Sequence, residues 1–246
     1  MVSGAHAVWK PSSGVLPVRV YLLGTLRFED VLAFQHRLAD EVAMGGTPAL
    51  VCCEHPALVT VGRSGSHAHM DLDPNNRTHR AWHVRWVNRG GGCWFHSPGQ
   101  LAIYPILPLK RLELGVRGYV ARLQAALVLT ARELGIAPHA AGAEVFVGTR
   151  PIACVGASVC DWTTYFGAIL NVNPDLLPHR LVRTGSKNLP MTSLQRECRR
   201  PFRPSHIRER FIEHFVAEFG LGDTLFFTGH PSLVRGAAAH ALPAAR

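Results

Sequence analysis

The sequence predicts an α+β fold, a mixed, largely antiparallel sheet flanked by helices. Short runs rich in β-branched and aromatic residues recur along the chain. Three segments instead carry apolar residues at helical spacing. The strands come in local groups with helices set between the groups, not in regular strand–helix alternation.

Val18 to Leu23 is a short apolar run that reads as a strand. Phe28, Val31, Leu32, Phe34, Leu38 and Val42 follow helical spacing, and Gly45-Gly46 stops that helix. Ala49 to Cys53 and Leu58 to Val61 read as strands on either side of a turn at Glu54-His55-Pro56. Residues 62–77 are polar and read as a loop; 82–88 reads as a strand. Cys93 to His96 and Leu101 to Ile106 are expected to pair around a tight turn at Ser97-Pro98-Gly99. A second helix holds Tyr119, Val120, Leu123, Leu127, Ala131 and Leu134, closed by Gly135. Residues 145–147, 152–159 and 163–172 are strand candidates. A long connection, 174–193, is broken by Pro178, Gly185 and Pro190. The last helix carries Ile207, Phe211, Phe215 and Phe219 on one stripe. The expected organisation is a loose arm over 1–16, one domain over 17–225 and a C-terminal tail over 226–246.

Composition narrows the function classes. Of 246 residues, 47% are hydrophobic and 17% charged, which supports a core and argues against disorder. No apolar run is long enough for a membrane span, and Met1 to Lys10 lacks the apolar stretch of a secretory leader. The expected location is therefore cytoplasmic. Lys and Arg number 26 against 17 Asp and Glu, a net +9 that suits an acidic partner. There is no lysine–arginine block and no aromatic–basic interleaving, so a nucleic-acid partner is not expected. The six cysteines form no C-x-x-C pair and imply no disulfide framework. His67 and His69 lack a clear third ligand, so no metal site is expected.

The most informative segment is Arg89-Gly-Gly-Gly-Cys-Trp-Phe-His-Ser-Pro-Gly-Gln-Leu101. Three glycines let the backbone approach a ligand and free several N–H groups to converge on an oxygen. Arg89 adds positive charge, and His96 adds a donor or a base. A flexible hairpin tip is the plain alternative.

Several segments in order resemble the lipoyl(octanoyl) transferase family. Arg89 to Pro105 resembles its R-G-G…H-x-P-G-Q-L-x-x-Y-P signature, and Glu54-His55-Pro56 with Thr60 to Gly65 resembles its E-H-P…T-x-G-R-S-G segment. Ile152 to Gly156 resembles its I-A-x-x-G strand. Thr164 to Leu176 resembles T-x-H-G-x-A-L-N…D-L, and Met191 to Leu194 resembles V-T-S-L. The resemblance covers about residues 18–220. It implies a biotin/lipoate protein ligase-like fold with an acyl tunnel, and no cofactor. The reaction it implies moves octanoyl from acyl carrier protein to a lysine of lipoyl domains, those of 2-oxoacid dehydrogenase complexes or the glycine cleavage H protein. The substrate-binding residues it implies are Arg89, Gly90, Gly91, Gly92, Cys93, Trp94, Phe95 and His96. With them go Cys154, Val155 and Gly156 from one strand and Gly167, Ala168 and Ile169 from the next.

The chain departs from the family where that chemistry is done. The family's lysine stands before I-A-x-x-G; here the place is Pro151, preceded by Arg150. Proline offers neither charge nor donor, and Arg150 would replace the lysine only through a one-residue slip of the strand. The family's cysteine stands before a glycine that matches Gly185, which puts Thr184 in its place. The family's histidine before Gly167 is Phe166. Thr184, with Lys187 three residues on, is one candidate nucleophile. Cys93, with His96 as its base, and Cys154 are the others. Octanoyl transfer with an unusual nucleophile, and an inactive homologue that binds an acyl chain, acyl carrier protein or a lipoyl domain, both remain open.

Overall fold

A computed structural model describes residues 15–73, 75–77, 82–184 and 189–233. Among the described residues eleven strands form two sheets. They are β1 (Val18–Thr25), β2 (Ala49–Glu54), β3 (Leu58–Val61), β4 (His83–Trp86), β5 (Cys93–His96), β6 (Gln100–Ile106), β7 (Pro138–Ala141), β8 (Glu144–Val147), β9 (Arg150–Cys160), β10 (Thr163–Asn171) and β11 (Thr224–Phe227). The α-helices among the described residues are α1 (Phe28–Ala43), α2 (Val116–Arg132), the short α3 (Leu194–Cys198) and α4 (Pro204–Phe219). None of them is long and apolar enough to cross a membrane.

The large sheet runs β11-β1-β2-β6-β10-β9-β8-β7. Its β11–β1 and β1–β2 pairs are parallel and the rest antiparallel, the mixed and largely antiparallel sheet that the sequence predicts. The central strands are covered on both faces, so they read as continuous apolar runs. In β2, Leu50 and Cys52 join one core cluster while Ala49, Val51 and Cys53 join the other, the alternation of side chains along a strand. α2 and α4 cover the first face: Leu123, Leu127, Phe211 and Phe215 pack with Val20, Leu50, Ile103 and Leu170. Truncating Phe211, fully buried there, to alanine would cost about 3–5 kcal/mol. α1 covers the other face through Phe28, Val31, Phe34, Leu38 and Val42.

A second sheet of three strands, β4-β3-β5, sits over that same face. Its Leu58 and Trp94 join the α1 core; its Val59, Val61, Cys93 and Phe95 pack outward with Val182.

Here the structure corrects one expectation. Residues 93–96 and 100–106 form no hairpin: β5 pairs with β3 in the small sheet, and β6 with β2 and β10 in the large one. Gly99 explains the divergence. Its φ is +89°, its N–H donates to Glu54 Oε2 at 2.8 Å, and its carbonyl accepts from Val172 and Asn173. The turn is thereby tied to the end of β10 and carries the chain from one sheet to the other.

Three further elements were not read from the sequence: β7, α3 and β11. The last crosses residue 225, the expected end of the domain. Most of the expected arm and the alanine-rich end of the tail lie outside the described residues.

Candidate active site

The glycine loop is zipped to the segment after β3. Gly62, Arg63 and Ser64 donate to the carbonyls of Gly92, Arg89 and Gly91 at 3.0 Å each, and Gly90 donates to Ala157 on β9. Gly91 holds a φ of +83°, where a side chain would be strained.

Arg89 is 1% exposed and lies inside this loop. Its guanidinium donates to the carbonyls of Gly90, Gly92 and Thr60 and to Thr60 Oγ1, at 2.7–3.1 Å. It also stacks 3.6 Å from the centre of the Trp94 ring. Burial pulls its pKa down to about 9, which still leaves it charged at neutral pH. Arg89 is thus the internal brace of the loop, and its donors are spent on the protein itself.

Behind the brace runs a buried polar chain. Thr60 Oγ1 lies 2.9 Å from His96 Nε2, and His55 Nε2 lies 2.8 Å from Tyr104 Oη. Burial drives His96 well below its ordinary pKa and His55 to about 4, so both rings are neutral. The Nδ1 of His96 has no partner among the described residues.

A cavity of about 650 Å³ opens in front of the loop. Gly91, Gly92, Trp94, Cys154 and Val155 line it, with His139, Phe146 and Leu189 among the other residues, and the surface is mostly apolar. The N–H groups of Gly91 and Gly92 have no hydrogen-bond partner among the described residues. Two donors on the rim of an apolar pocket suit a carbonyl oxygen that gains negative charge.

Of the residues expected at the site, Gly91, Gly92, Trp94, Cys154 and Val155 line this cavity. The others do not. Arg89 and His96 are sealed behind it, and Gly90 and Gly156 meet in the wall: a Cβ on Gly156 would stand 2.5 Å from Gly90 O and 2.9 Å from the Trp94 ring. Cys93 and Phe95 face the outer side of the small sheet. Gly167 is packed against β6, while Ala168 and Ile169 fill the two cores.

The proposed pairing of Cys93 with His96 is corrected by strand geometry. The two residues project from opposite faces of β5, Cys93 with Phe95 and His96 with Trp94. Cys93 Sγ instead points at the Ser66 carbonyl, and burial raises its pKa.

Thr184 is buried at the end of a described segment, where neighbouring Arg183 donates to the His69 carbonyl. It does not line the cavity, and Lys187 lies outside the described residues. Pro151 is buried, and a one-residue irregularity follows it: Val145 pairs with Ala153 and Phe146 with Pro151, leaving Ile152 over. Arg150, beside Pro151, is exposed and pairs with Glu197 at 2.8 Å. Phe166 stacks on Phe28 in the apolar core and adopts a φ of +55°, its N–H held by Gln35 Oε1.

Sequence reasoning missed the β7–β8 hairpin as a cavity wall. Its signal was faint, because β7 is a four-residue strand whose Pro138 and following Gly142 read as punctuation.

A mixed sheet with paired helices on one face, a three-stranded sheet over the other and a glycine-rimmed cavity at their junction define a catalytic domain of the lipoate-ligase architecture. The structure superposes on lipoate-protein ligase A bound with ATP with a TM-score of 0.68, at 16% identity, over 91% of this chain and 94% of that one. A bipartite lipoate protein ligase of Thermoplasma acidophilum, solved in a study of that ligase and its E2 lipoyl domain, gives a TM-score of 0.66 at 15% identity over 91% of each chain. Residues 28–216 match the lipoyl protein ligase A/B catalytic domain, and the chain belongs to that family. Within it, the octanoyltransferase of Geobacter metallireducens is 36% identical over 197 residues, 78% of this chain and 89% of that protein.

Proposed function

We propose that this protein is an octanoyltransferase of lipoate biosynthesis, which receives octanoyl from acyl carrier protein and passes it to a lysine of a lipoyl domain in the cytoplasm. The observation that carries this reading is the mostly apolar cavity rimmed by the unpartnered N–H groups of Gly91 and Gly92. An octanoyl chain fills the apolar part, and the thioester carbonyl meets the two donors. The 36% identity to an octanoyltransferase and the net charge of +9, suited to acidic protein partners, support it further.

Three side chains compete as nucleophile. Cys154 is the one that lines the cavity, with Cys93 and Thr184 away from it. Burial pushes the Cys154 thiol far up; the Arg89 charge draws it down, but by less. A thiol in that state supplies little thiolate. The arrangement therefore favours direct transfer. The lysine amine of the lipoyl domain attacks the thioester carbon, forming the C–N bond and a tetrahedral oxyanion; this then collapses with cleavage of the C–S bond, and the amine's proton leaves with the carrier thiol. The glycine N–H groups stabilise the intermediate oxyanion.

The second reading that the sequence leaves open, an acyl-binding homologue without turnover, rests on Pro151, Thr184 and Phe166 standing where the resemblance places the family's lysine, cysteine and histidine. Incubating the purified protein with octanoyl-acyl carrier protein and a lipoyl domain, followed by mass spectrometry of the domain, separates the two. Octanoylation by wild type and by a Cys154→Ser/Cys93→Ser/Thr184→Ala variant alike supports direct transfer. Loss on Cys154→Ser supports a thioester at Cys154. Carrier binding with no octanoylation leaves the second reading.

A further inference from the structure

Beside the acyl cavity, and separated from it by Leu189 and the Thr149–Arg150 step, lies a second hollow of about 390 Å³. Arg150, Arg180 and Arg196 line it, together with His179 and Met191. A third hollow, of about 460 Å³, adjoins it with Leu176 and Arg196 in both linings and adds Arg199 and Arg200. The two adjoining hollows, together called the furrow, carry five arginines. All five are exposed, and Arg180, Arg196 and Arg199 have no ion-pair or hydrogen-bond partner for their guanidinium groups among the described residues. The acidic groups there are Glu197, held by Arg150 and Thr192, and Asp175, beside His179. His179 itself is 5% exposed, and its Nδ1 has no partner among the described residues.

Uncompensated arginines gathered in a concave surface are a recognition site for an oxyanion, since each guanidinium offers paired donors that match phosphate oxygens. Unpaired like charges held close together also repel one another, so such a cluster is stabilised when an anion arrives. The position of the furrow narrows the anion. A carrier-bound acyl group reaches its cavity on a phosphopantetheine arm, with the thioester at one end and a phosphodiester at the other.

We infer that the furrow between Arg180, Arg196 and Arg199 binds the phosphate of that arm while the acyl end lies in the cavity across Leu189. The inference rests on the octanoyl-transfer reading and adds to it the place where the carrier docks. The acidic surface of the carrier then faces Arg200 and the rest of the exposed arginine face.

Calorimetric titration of the full chain with octanoyl-4′-phosphopantetheine and with octanoyl-pantetheine tests it, using wild type and an Arg180→Gln/Arg196→Gln double variant. Both substitutions are at exposed positions, and a thermal melt checks that the variant is folded. Wild type is expected to bind the phosphorylated compound at least about tenfold more tightly than the dephosphorylated one. In the double variant the preference is expected to fall below about twofold. Octanoyl-pantetheine binding without a phosphate preference in wild type, or a preference kept in the double variant, overturns the furrow assignment alone. Absence of binding by both compounds overturns the acyl reading with it. A short single-stranded oligonucleotide that binds wild type more tightly than the phosphopantetheine compound, and loses that binding in the double variant, reassigns the furrow to nucleic acid and overturns the inference.

Discussion

The Arg89 guanidinium stacks 3.6 Å from the centre of the Trp94 ring, inside the loop whose carbonyls it binds. A residue that reads as a charge waiting for a ligand is instead the part that gives the glycine loop its shape. Arg89→Met would leave the carbonyls of Gly90, Gly92 and Thr60 without this donor in a buried setting. The expected loss is about 3 kcal/mol, read from urea unfolding, with a red shift in Trp94 emission. Unchanged stability with weakened anion binding would instead make Arg89 a ligand contact.

Gly156 lets β9 touch the loop. A Cβ there meets Gly90 O at 2.5 Å and the Trp94 ring at 2.9 Å. Gly156→Ala is expected to cost about 1–3 kcal/mol and to weaken octanoyl-pantetheine binding, because the loop must move into the cavity. The same substitution at Gly135, which has open space around it and lies away from the cavity, tests strain alone, since its φ is +80°. An effect on ligand binding as large as that of Gly156→Ala would show that loop displacement is not the cause.

The buried histidines set a pH dependence. His55 and His179 have pKa values lowered to about 4 by burial, against an ordinary 6.5. Between those values the unfolded chain binds more protons than the folded one, so stability is full above about pH 6.5 and falls as the pH drops towards 4. Each group contributes up to about 3 kcal/mol to that fall. Urea midpoints at pH 7.5 and pH 4.5 measure it, and His55→Gln should flatten part of the slope. A midpoint that holds steady or rises on acidification contradicts these assignments.

The thiols are expected to separate by exposure. Cys160 is exposed, whereas Cys52, Cys53, Cys93 and Cys154 are buried. Iodoacetamide at neutral pH should label Cys160 at least about tenfold faster than Cys154, as judged by peptide mass spectrometry. Equal rates would reveal a thiolate at Cys154 and return the chemistry to a thioester route.

The elements that the sequence shows most plainly are those with a local cause. The stripe Ile207, Phe211, Phe215 and Phe219 is a helix face by spacing alone, and it packs on the large sheet through α4. The run from Ala49 to Cys53 is apolar because both its faces are covered. The path after Gly99 was hidden, since a hairpin and a crossing between sheets share the same Pro-Gly turn and the difference lies with Glu54, 45 residues away. The edge strands β7 and β11 are four residues long and carry no strong alternation. At the site, the glycines were legible as a close approach of backbone. The inward turn of Arg89 was not, because a basic residue beside glycines looks alike whether its partner is a ligand or the loop itself.

The account stands on an octanoyl chain seated between the glycine loop and Cys154. Photolabelling with an octanoyl-pantetheine analogue that carries a diazirine at the end of its chain reads this directly. The account predicts adducts on the cavity wall, at His139, Phe146 or Cys154, suppressed by excess octanoyl-pantetheine. Adducts confined to other surfaces, or labelling that excess octanoyl-pantetheine leaves unchanged, would contradict it.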